Sequence, residues 1–262
     1  MVGLARLASI LLFFFGFPAF AGPLSVVSLN LMKVTDAALI EREIRERPQL
    51  RDSDIYLLQE VAHARPDAPS AAHELAARMK MQVAYAAAKP GVLDQGLAVL
   101  SRFPLSGQVV RKLKAYDLKF HSRERQALSV TVETADGPVR ITNAHLDTRL
   151  NAEDRLQQLS PVVSDGVSFR MPRIVGGDFN TNDFYWLANL IPVPWIKSQV
   201  REIDRFMSSH GYRTPAPASW PTFDHLGMHL DWVYGHGIQP LAAKIFPLKF
   251  TDHHALWTQF DR

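Results

Sequence analysis

Carboxylates, carboxamides and imidazoles stand where the apolar runs of this sequence end, and that placement is the first sign of chemistry. The clearest case is Arg173-Ile174-Val175-Gly176-Gly177-Asp178-Phe179-Asn180-Thr181. A short β-branched run stops at two glycines, then offers a carboxylate and a carboxamide two residues apart. Strand alternation would put Asp178 and Asn180 on one face. The glycines would allow a sharp turn and a close approach. A carboxylate suits a hard divalent cation and an amide N–H suits a phosphoryl oxygen, so the stretch reads as one wall of a metal and phosphate site. The pattern recurs. Asn30 and Glu60 end apolar runs, His145 ends another, Asp231 opens one, and Asp252 and His253 precede the last. Singly, each is a solvated turn residue or a satisfied histidine. Together they carry weight, because a sheet brings distant strand ends to one rim.

The elements that must position these groups follow from spacing. Strands are expected at 24–31, 54–60, 82–87, 96–103, 106–113, 125–134, 139–146, 173–178, 230–234 and 254–260. The turn Ala135-Asp136-Gly137-Pro138 reads as a hairpin. Helices are expected from Thr35 or Asp36 to a stop at Pro48, from Ser70 to about Lys80, over 151–165 with an interruption at Pro161, and over 199–210. Residues 214–223 read as loop. The aromatic, proline-broken run 183–196 is expected to lie buried beneath the sheets as helix and turn; its alternative is an exposed segment with Trp186 and Trp195 at a lipid interface.

With 262 residues, 47% of them hydrophobic, the chain can fill a sizeable core. No cysteine is present, which excludes disulfides, thiolate metal sites and thiol catalysis. A metal must then be held by oxygen or imidazole, which points to Mg²⁺, Ca²⁺ or Mn²⁺. Residues 1–21 read as an export signal: Arg6, an apolar core over 7–17, and Ala19-Phe20-Ala21 as a small-x-small cleavage signature. Residues 22–262 would then form one domain, secreted or periplasmic, or membrane-anchored if the signal stays. The net charge of +3 is compatible with an anionic partner.

Seven short motifs fall in order over about 24–260: Ser28-Leu29-Asn30, Leu58-Gln59-Glu60, Gly96 to Pro104, Asn143-Ala144-His145-Leu146-Asp147, Gly176-Gly177-Asp178-Phe179-Asn180, Leu230-Asp231-Trp232-Val233-Tyr234 and Thr251-Asp252-His253-His254. This set resembles the endonuclease/exonuclease/phosphatase superfamily, metal-dependent phosphoesterases related to pancreatic-type deoxyribonuclease, apurinic endonuclease and neutral sphingomyelinase. The resemblance implies an α+β fold, a four-layer αββα sandwich of two mostly antiparallel sheets with helices outside. It implies hydrolysis of a phosphoester by activated water with Mg²⁺, Mn²⁺ or Ca²⁺ being alternatives. Glu60 would be the principal metal carboxylate, with Asn30 and Asp252 near the cation. Asp178 would orient or deprotonate the water and Asn180 would contact phosphoryl oxygens. His253, held by Asp231, would act as base or charge stabiliser, and His145 would bond the phosphate and help the leaving oxygen depart. Arg125 stands where the family often has a basic residue, with a solvent-facing strand-edge role equally open. Asp147 and Arg155 are expected to form a structural ion pair.

Two stretches bear on the substrate. The basic, aromatic-interleaved run 111–125 could track a nucleic-acid backbone or be a solvated hairpin edge. The run 183–196 bears on a phospholipid. A nucleic-acid phosphodiester stands ahead of a phospholipid or inositol phosphate, a non-catalytic binding module is the remote alternative, and a monomer without an obligate protein partner is the simplest state.

Overall fold

The structure is a computed structural model and describes residues 22–88, 95–116, 124–164, 171–194 and 198–261. The export-signal segment 1–21, residues 117–123 of the basic stretch, and Trp195 lie outside the described residues.

In chain order the elements are β1 (Leu24–Asn30), α1 (Ala37–Arg45), α2 (Pro48–Arg51), β2 (Ile55–Val61), α3 (Ala71–Met79), β3 (Gln82–Ala86), β4 (Gly96–Ser101), β5 (Leu105–Lys112), β6 (Gln126–Thr134) and β7 (Gly137–His145). There follow α4 (Ala152–Ser164), β8 (Arg173–Asp178), β9 (Phe184–Leu187), β10 (Ile191–Pro194), α5 (Gln199–Ser209), β11 (Asp231–His236), β12 (Gln239–Phe246) and β13 (Ala255–Asp261). Local chemistry accounts for the helix starts. The Asp36 carboxylate accepts from the Ala38 and Leu39 amides, and the Ser70 hydroxyl accepts from His73, each satisfying donors that the first turn leaves unpaired.

Two sheets form the body. One has the strand order β12-β13-β1-β2-β4-β3 and the other β11-β8-β7-β6-β5. All neighbours are antiparallel except β1 with β2 and β7 with β8. Between the sheets lies an aliphatic layer including Val26, Ile55, Leu57, Val99, Leu128, Val130, Ile141 and Val233. The outer face of the first sheet packs on Ile40, Ile44 and Leu75 of α1 and α3. The outer face of the second packs on Leu159, Val162, Ile203 and Met207 of α4 and α5. The central strands β1, β2 and β4 are therefore mostly apolar and buried, because both faces of the sheet are covered there. This is the expected αββα sandwich.

Four expectations need correction. Pro48 ends the first helix but also opens α2, since its missing N–H costs nothing at the first helical position. Pro161 does not interrupt α4: burial of Leu159, Val162 and Val163, at roughly 1.5–3 kcal/mol each, outweighs the ~3 kcal/mol penalty of an internal proline. Strand β12 was not anticipated, because it alternates exposed and half-buried residues at a sheet edge. Finally, 184–194 is an exposed two-stranded hairpin, neither helical nor buried.

Two sheets that face one another share no backbone hydrogen bonds, so side chains must fix their registry. The fully buried carboxamides of Gln59 (β2) and Asn143 (β7) do this. Gln59 Nε2 donates to Asn143 Oδ1 at 2.8 Å, while Asn143 Nδ2 donates to the Leu58 carbonyl at 2.8 Å and the Ala98 carbonyl at 2.9 Å. Asn143→Ala leaves buried donors and acceptors without partners, each worth about 1–3 kcal/mol, so the expected loss of stability is at least ~3 kcal/mol with an unchanged urea m-value. A loss below ~1 kcal/mol in urea titration would show that this clasp does not hold the sheets.

Candidate active site

Register alone assembles half of the site. In the second sheet His145 lies opposite Asp178 across the parallel β7–β8 pair, and Asp231 lies opposite Asp178 across the antiparallel β8–β11 pair. Residues directly opposite one another share a face, so the three side chains stand abreast at one rim. The glycines before Asp178 make this possible. A Cβ on Gly177 would sit 2.0 Å from the Ala144 carbonyl oxygen, and one on Gly176 would sit 2.6 Å from that of Trp232. What approaches closely here is the backbone of both neighbouring strands.

The other half comes from the first sheet. Asn30 ends β1, and its Nδ2 donates to Asp178 Oδ2 at 3.0 Å while its Oδ1 accepts from the Met32 amide at 2.9 Å. Glu60 sits at an irregularity in β2, where the pairing with β4 shifts between Leu58 and Val61. Its φ of 49° is left-handed, which is costly for a residue with a Cβ. The shift re-aims the carboxylate into the cavity. His253 precedes β13, and its Nδ1 meets Asp231 Oδ2 at 2.9 Å while its Nε2 lies 3.9 Å from Asp178 Oδ2. The Phe223 ring packs on the imidazole at 5.0 Å between centroids.

Asn30, Glu60, His145, Asp178, Asn180 and His253 together line one cavity of about 330 Å³. Asp178 and Asn180 meet there, but not by strand alternation. β8 stops at Asp178, and Asn180 has a φ of 52°. Its backbone N–H turns back to Asp178 Oδ1 at 2.9 Å, and its carboxamide donates to the Leu146 carbonyl at 2.9 Å. Asp231 stands behind His253 and is fully buried. Asp231 and Asp252 are the two sequence-selected residues outside the cavity lining: Asp231 bonds His253 from behind, and the Asp252 carboxylate lies 3.9 Å from His225 Nε2.

Burial lifts the Asp178 carboxyl to about 6; the Asp231 charge adds to the rise, while His253 and the bond from Asn30 oppose it. For His253, burial disfavours the imidazolium, but the carboxylates of Asp231, Asp178 and Asp252 outweigh it and raise the ring to about 10. The donor set fits a hard divalent cation. The Glu60 carboxylate accepts no hydrogen bond among the described residues, Asp231 Oδ1 is buried without a partner, and ligand atoms of Asp178, Asp231 and His253 lie within 4.8 Å of one another. Glu60, whose carboxylate is unengaged among the described residues, lines the cavity together with Asp178 and Asn30, and these three would form the oxygen cradle.

Several supporting residues are not foreseeable from chemistry-bearing patterns. The Thr222 hydroxyl accepts from the Leu230 and Asp231 amides, both at 2.9 Å, and so fixes the start of β11. Phe184, Trp186, Pro192, Met228 and Leu230 give the cavity an apolar wall. Arg125 is buried, not solvent-facing, and its Nε donates to Asp147 Oδ1 at 3.0 Å. The expected Asp147–Arg155 ion pair is replaced by this one. Arg155 instead spends its donors on the carbonyls of Asp147, Phe179 and Leu150, bracing the backbone behind the site.

A histidine whose folded pKa is raised stabilises fully below its unfolded value, near 6.5, and loses that contribution as pH rises through the folded value. For His253 that window runs from about 6.5 to about 10. In chelator, His253→Ala should lower the Tm at pH 6.5, and the gap to the wild type should narrow steadily toward pH 10. A gap independent of pH would show that Asp231 does not hold the ring charged.

No curated protein matches the chain at the level of sequence. The fold is shared with an endonuclease/exonuclease/phosphatase from Beutenbergia cavernae (TM-score 0.69, 22% identity, 91% of this chain and 71% of that one). It is shared as well with the human Nocturnin catalytic domain bearing a sulfate anion (0.64, 21%, 91% and 93%), and with ANGEL2, a 2′,3′-cyclic phosphatase (0.62, 13%, 91% and 95%). The model of the Endonuclease/Exonuclease/phosphatase family matches residues 28–253, from the serine before Asn30 to the histidine paired with Asp231. The chain belongs to that family.

Proposed function

We propose that this protein is a divalent-metal-dependent phosphodiester hydrolase working outside the cytoplasm. The observation that carries this reading is the meeting of Asn30 and Glu60 from one sheet with His145, Asp178 and Asn180 from the other, and with His253, around a single cavity. Family membership supports phosphoester hydrolysis as the reaction class. Sulfate in Nocturnin and the phosphatase activity of ANGEL2 support a tetrahedral oxyanion as the group acted upon. The extracellular location rests on the export pattern of residues 1–21.

A cation, with Mg²⁺ favoured over Mn²⁺ and Ca²⁺, would be held by Glu60 with Asp178 and Asn30 beside it, and would supply Lewis-acid stabilisation of charge on the phosphoryl oxygens. The chain's own groups do the rest. Asp178, lifted toward neutrality by burial, is suited to orient the attacking water and accept its proton. The Asn30 and Asn180 bonds fix both of its oxygens. His253, kept cationic by Asp231, offers an Nε2–H to a phosphoryl oxygen as charge builds there. His145, 3.4 Å from Asp178, offers a proton toward the leaving oxygen. The Asn180 carboxamide has a second N–H to offer the phosphoryl group beyond the one given to Leu146. Asp252 acts on the field at His253 in this reading, as a carboxylate that helps hold the ring charged.

The surface alters the order of substrates. In the described part of the basic run Lys114 bonds Gln157 and lies over the Tyr116 ring and Arg125 is buried, while Lys112, 3.7 Å from Glu124, stays 84% exposed. The cavity wall, by contrast, is apolar and aromatic. These two facts favour a phospholipid headgroup over a nucleic-acid backbone.

Removing one electrostatic stabiliser from such a site costs on the order of 100- to 1000-fold in rate. Glu60→Gln, Asp178→Asn and His253→Ala should each lose at least that much kcat/KM on bis-p-nitrophenyl phosphate with Mg²⁺, and chelator should abolish wild-type turnover. Near-wild-type turnover in any of the three would remove its role, and chelator-resistant turnover would remove the cation.

A further inference from the structure

The hairpin formed by β9 and β10 is a two-stranded sheet that pairs with no other strand among the described residues. Alternation divides it into two faces. Phe184, Trp186 and Pro192 turn toward the cavity. Tyr185 opposite Val193, and Leu187 opposite Ile191, turn away from it, and with Leu190 at the tip they are between 37% and 53% exposed. No charged residue occurs from 184 to 194. Four neighbouring aliphatic side chains, Leu187, Leu190, Ile191 and Val193, exposed at the mouth of a site mark a surface meant to be covered.

The hairpin is held in this position. The Asn151 carboxamide acts as a strand neighbour to Trp186, with its Oδ1 accepting from the Trp186 amide at 2.7 Å and its Nδ2 donating to the Trp186 carbonyl at 3.2 Å. Gln199 Nε2 donates to the Phe184 carbonyl at 2.8 Å. The β9 edge is thus tied to the body. The β10 edge carries Pro192 and Pro194, which have no N–H to offer, so an incoming strand cannot extend the sheet there.

We infer that the outer face of this hairpin docks on a phospholipid bilayer and brings the cavity mouth to the headgroup layer. Three features select a bilayer over a protein partner. The exposed face offers only a few hundred Å² of apolar surface, well below the about 800 Å² per side of a stable protein interface. The proline edge excludes pairing by strand addition. The charge is also arranged as an interface requires: the face bears a tyrosine and no charged residue from 184 to 194, while the nearest guanidinium, Arg149, stacks 5.9 Å over Trp186 on the cavity side. The inference rests on the phosphoesterase reading only for its purpose, since docking needs no catalysis.

The test pairs vesicle binding with soluble turnover. Wild type and the double variant Leu187→Ser/Ile191→Ser are sedimented with phosphatidylcholine vesicles containing phosphatidylglycerol, and both are assayed on bis-p-nitrophenyl phosphate. Neither substituted side chain lines the cavity, so soluble turnover should be unchanged, which also reports intact folding. The wild type should sediment with the vesicles, and the variant should lose at least tenfold in partitioning. Wild-type protein that stays in the supernatant, or a variant that sediments equally, overturns the inference. So does a wild-type dimer that the variant dissolves in the absence of vesicle binding, since the face would then be covered by a second copy. Vesicle binding without phosphodiester turnover would instead strike the hydrolase reading and leave docking standing.

Discussion

A sandwich of two sheets has no backbone hydrogen bonds across its middle, so the relative position of the sheets is set by whatever side chains bridge them. In this protein the bridge is polar and lies directly beneath the site: Gln59 to Asn143 in the buried interior, and Asn30 to Asp178 at the rim. An aliphatic core tolerates sliding, because dispersion contacts are many and non-directional. Two fully buried carboxamides do not, because a shift of an ångström leaves donors and acceptors unpaired. Residues that line the cavity lie close to the inner clasp. Glu60 follows Gln59, and His145 lies two beyond Asn143. The sheets are therefore registered at the point where registry decides whether six side chains share a cavity.

The same end of the molecule concentrates backbone strain. Glu60 and Asn180 both occupy left-handed conformations, as do Met32 and Lys33 after Asn30. Each such residue costs of order 1 kcal/mol or more and persists only where surrounding structure compels it. Asp178 adds an electrostatic cost, since its carboxylate is almost wholly removed from water and is charged at the expense of solvation. The aliphatic layers on both sides of each sheet supply the compensation. Arg155, buried with its guanidinium shared among carbonyls of the loops that follow β7 and β8, keeps those loops from relaxing.

The hairpin shows how one local pattern can serve two environments. With period two, alternate residues of Phe184-Tyr185-Trp186-Leu187 must point to opposite sides. An entirely apolar sequence then makes both sides apolar, one facing the cavity and one facing outward. Composition gives no hint of this division, and the same residues would read equally well as a buried segment.

Much of the architecture was legible from order and spacing. The strands carrying Asn30, Glu60, His145, Asp178 and Asp231 lie within a residue or two of where alternation and turn residues put them, because those runs are apolar on both faces and cannot be satisfied outside a covered sheet. Most of the polar groups that line the cavity were legible for a related reason: a carboxylate, carboxamide or imidazole at the end of a buried run is costly without a partner. What sequence could not supply was everything that depends on two strands meeting. It could not show that Asp147 pairs with Arg125 and not with Arg155, or that Asp178 and Asn180 meet through a turn. Nor could it show that Asp252 lies outside the cavity lining, or that the run after Asn182 is an exposed hairpin. Those outcomes turn on which elements the fold brings together around each residue, and that is set by sheet order and packing. Residue type determines what a side chain can do; only the tertiary fold decides which neighbour it does it with.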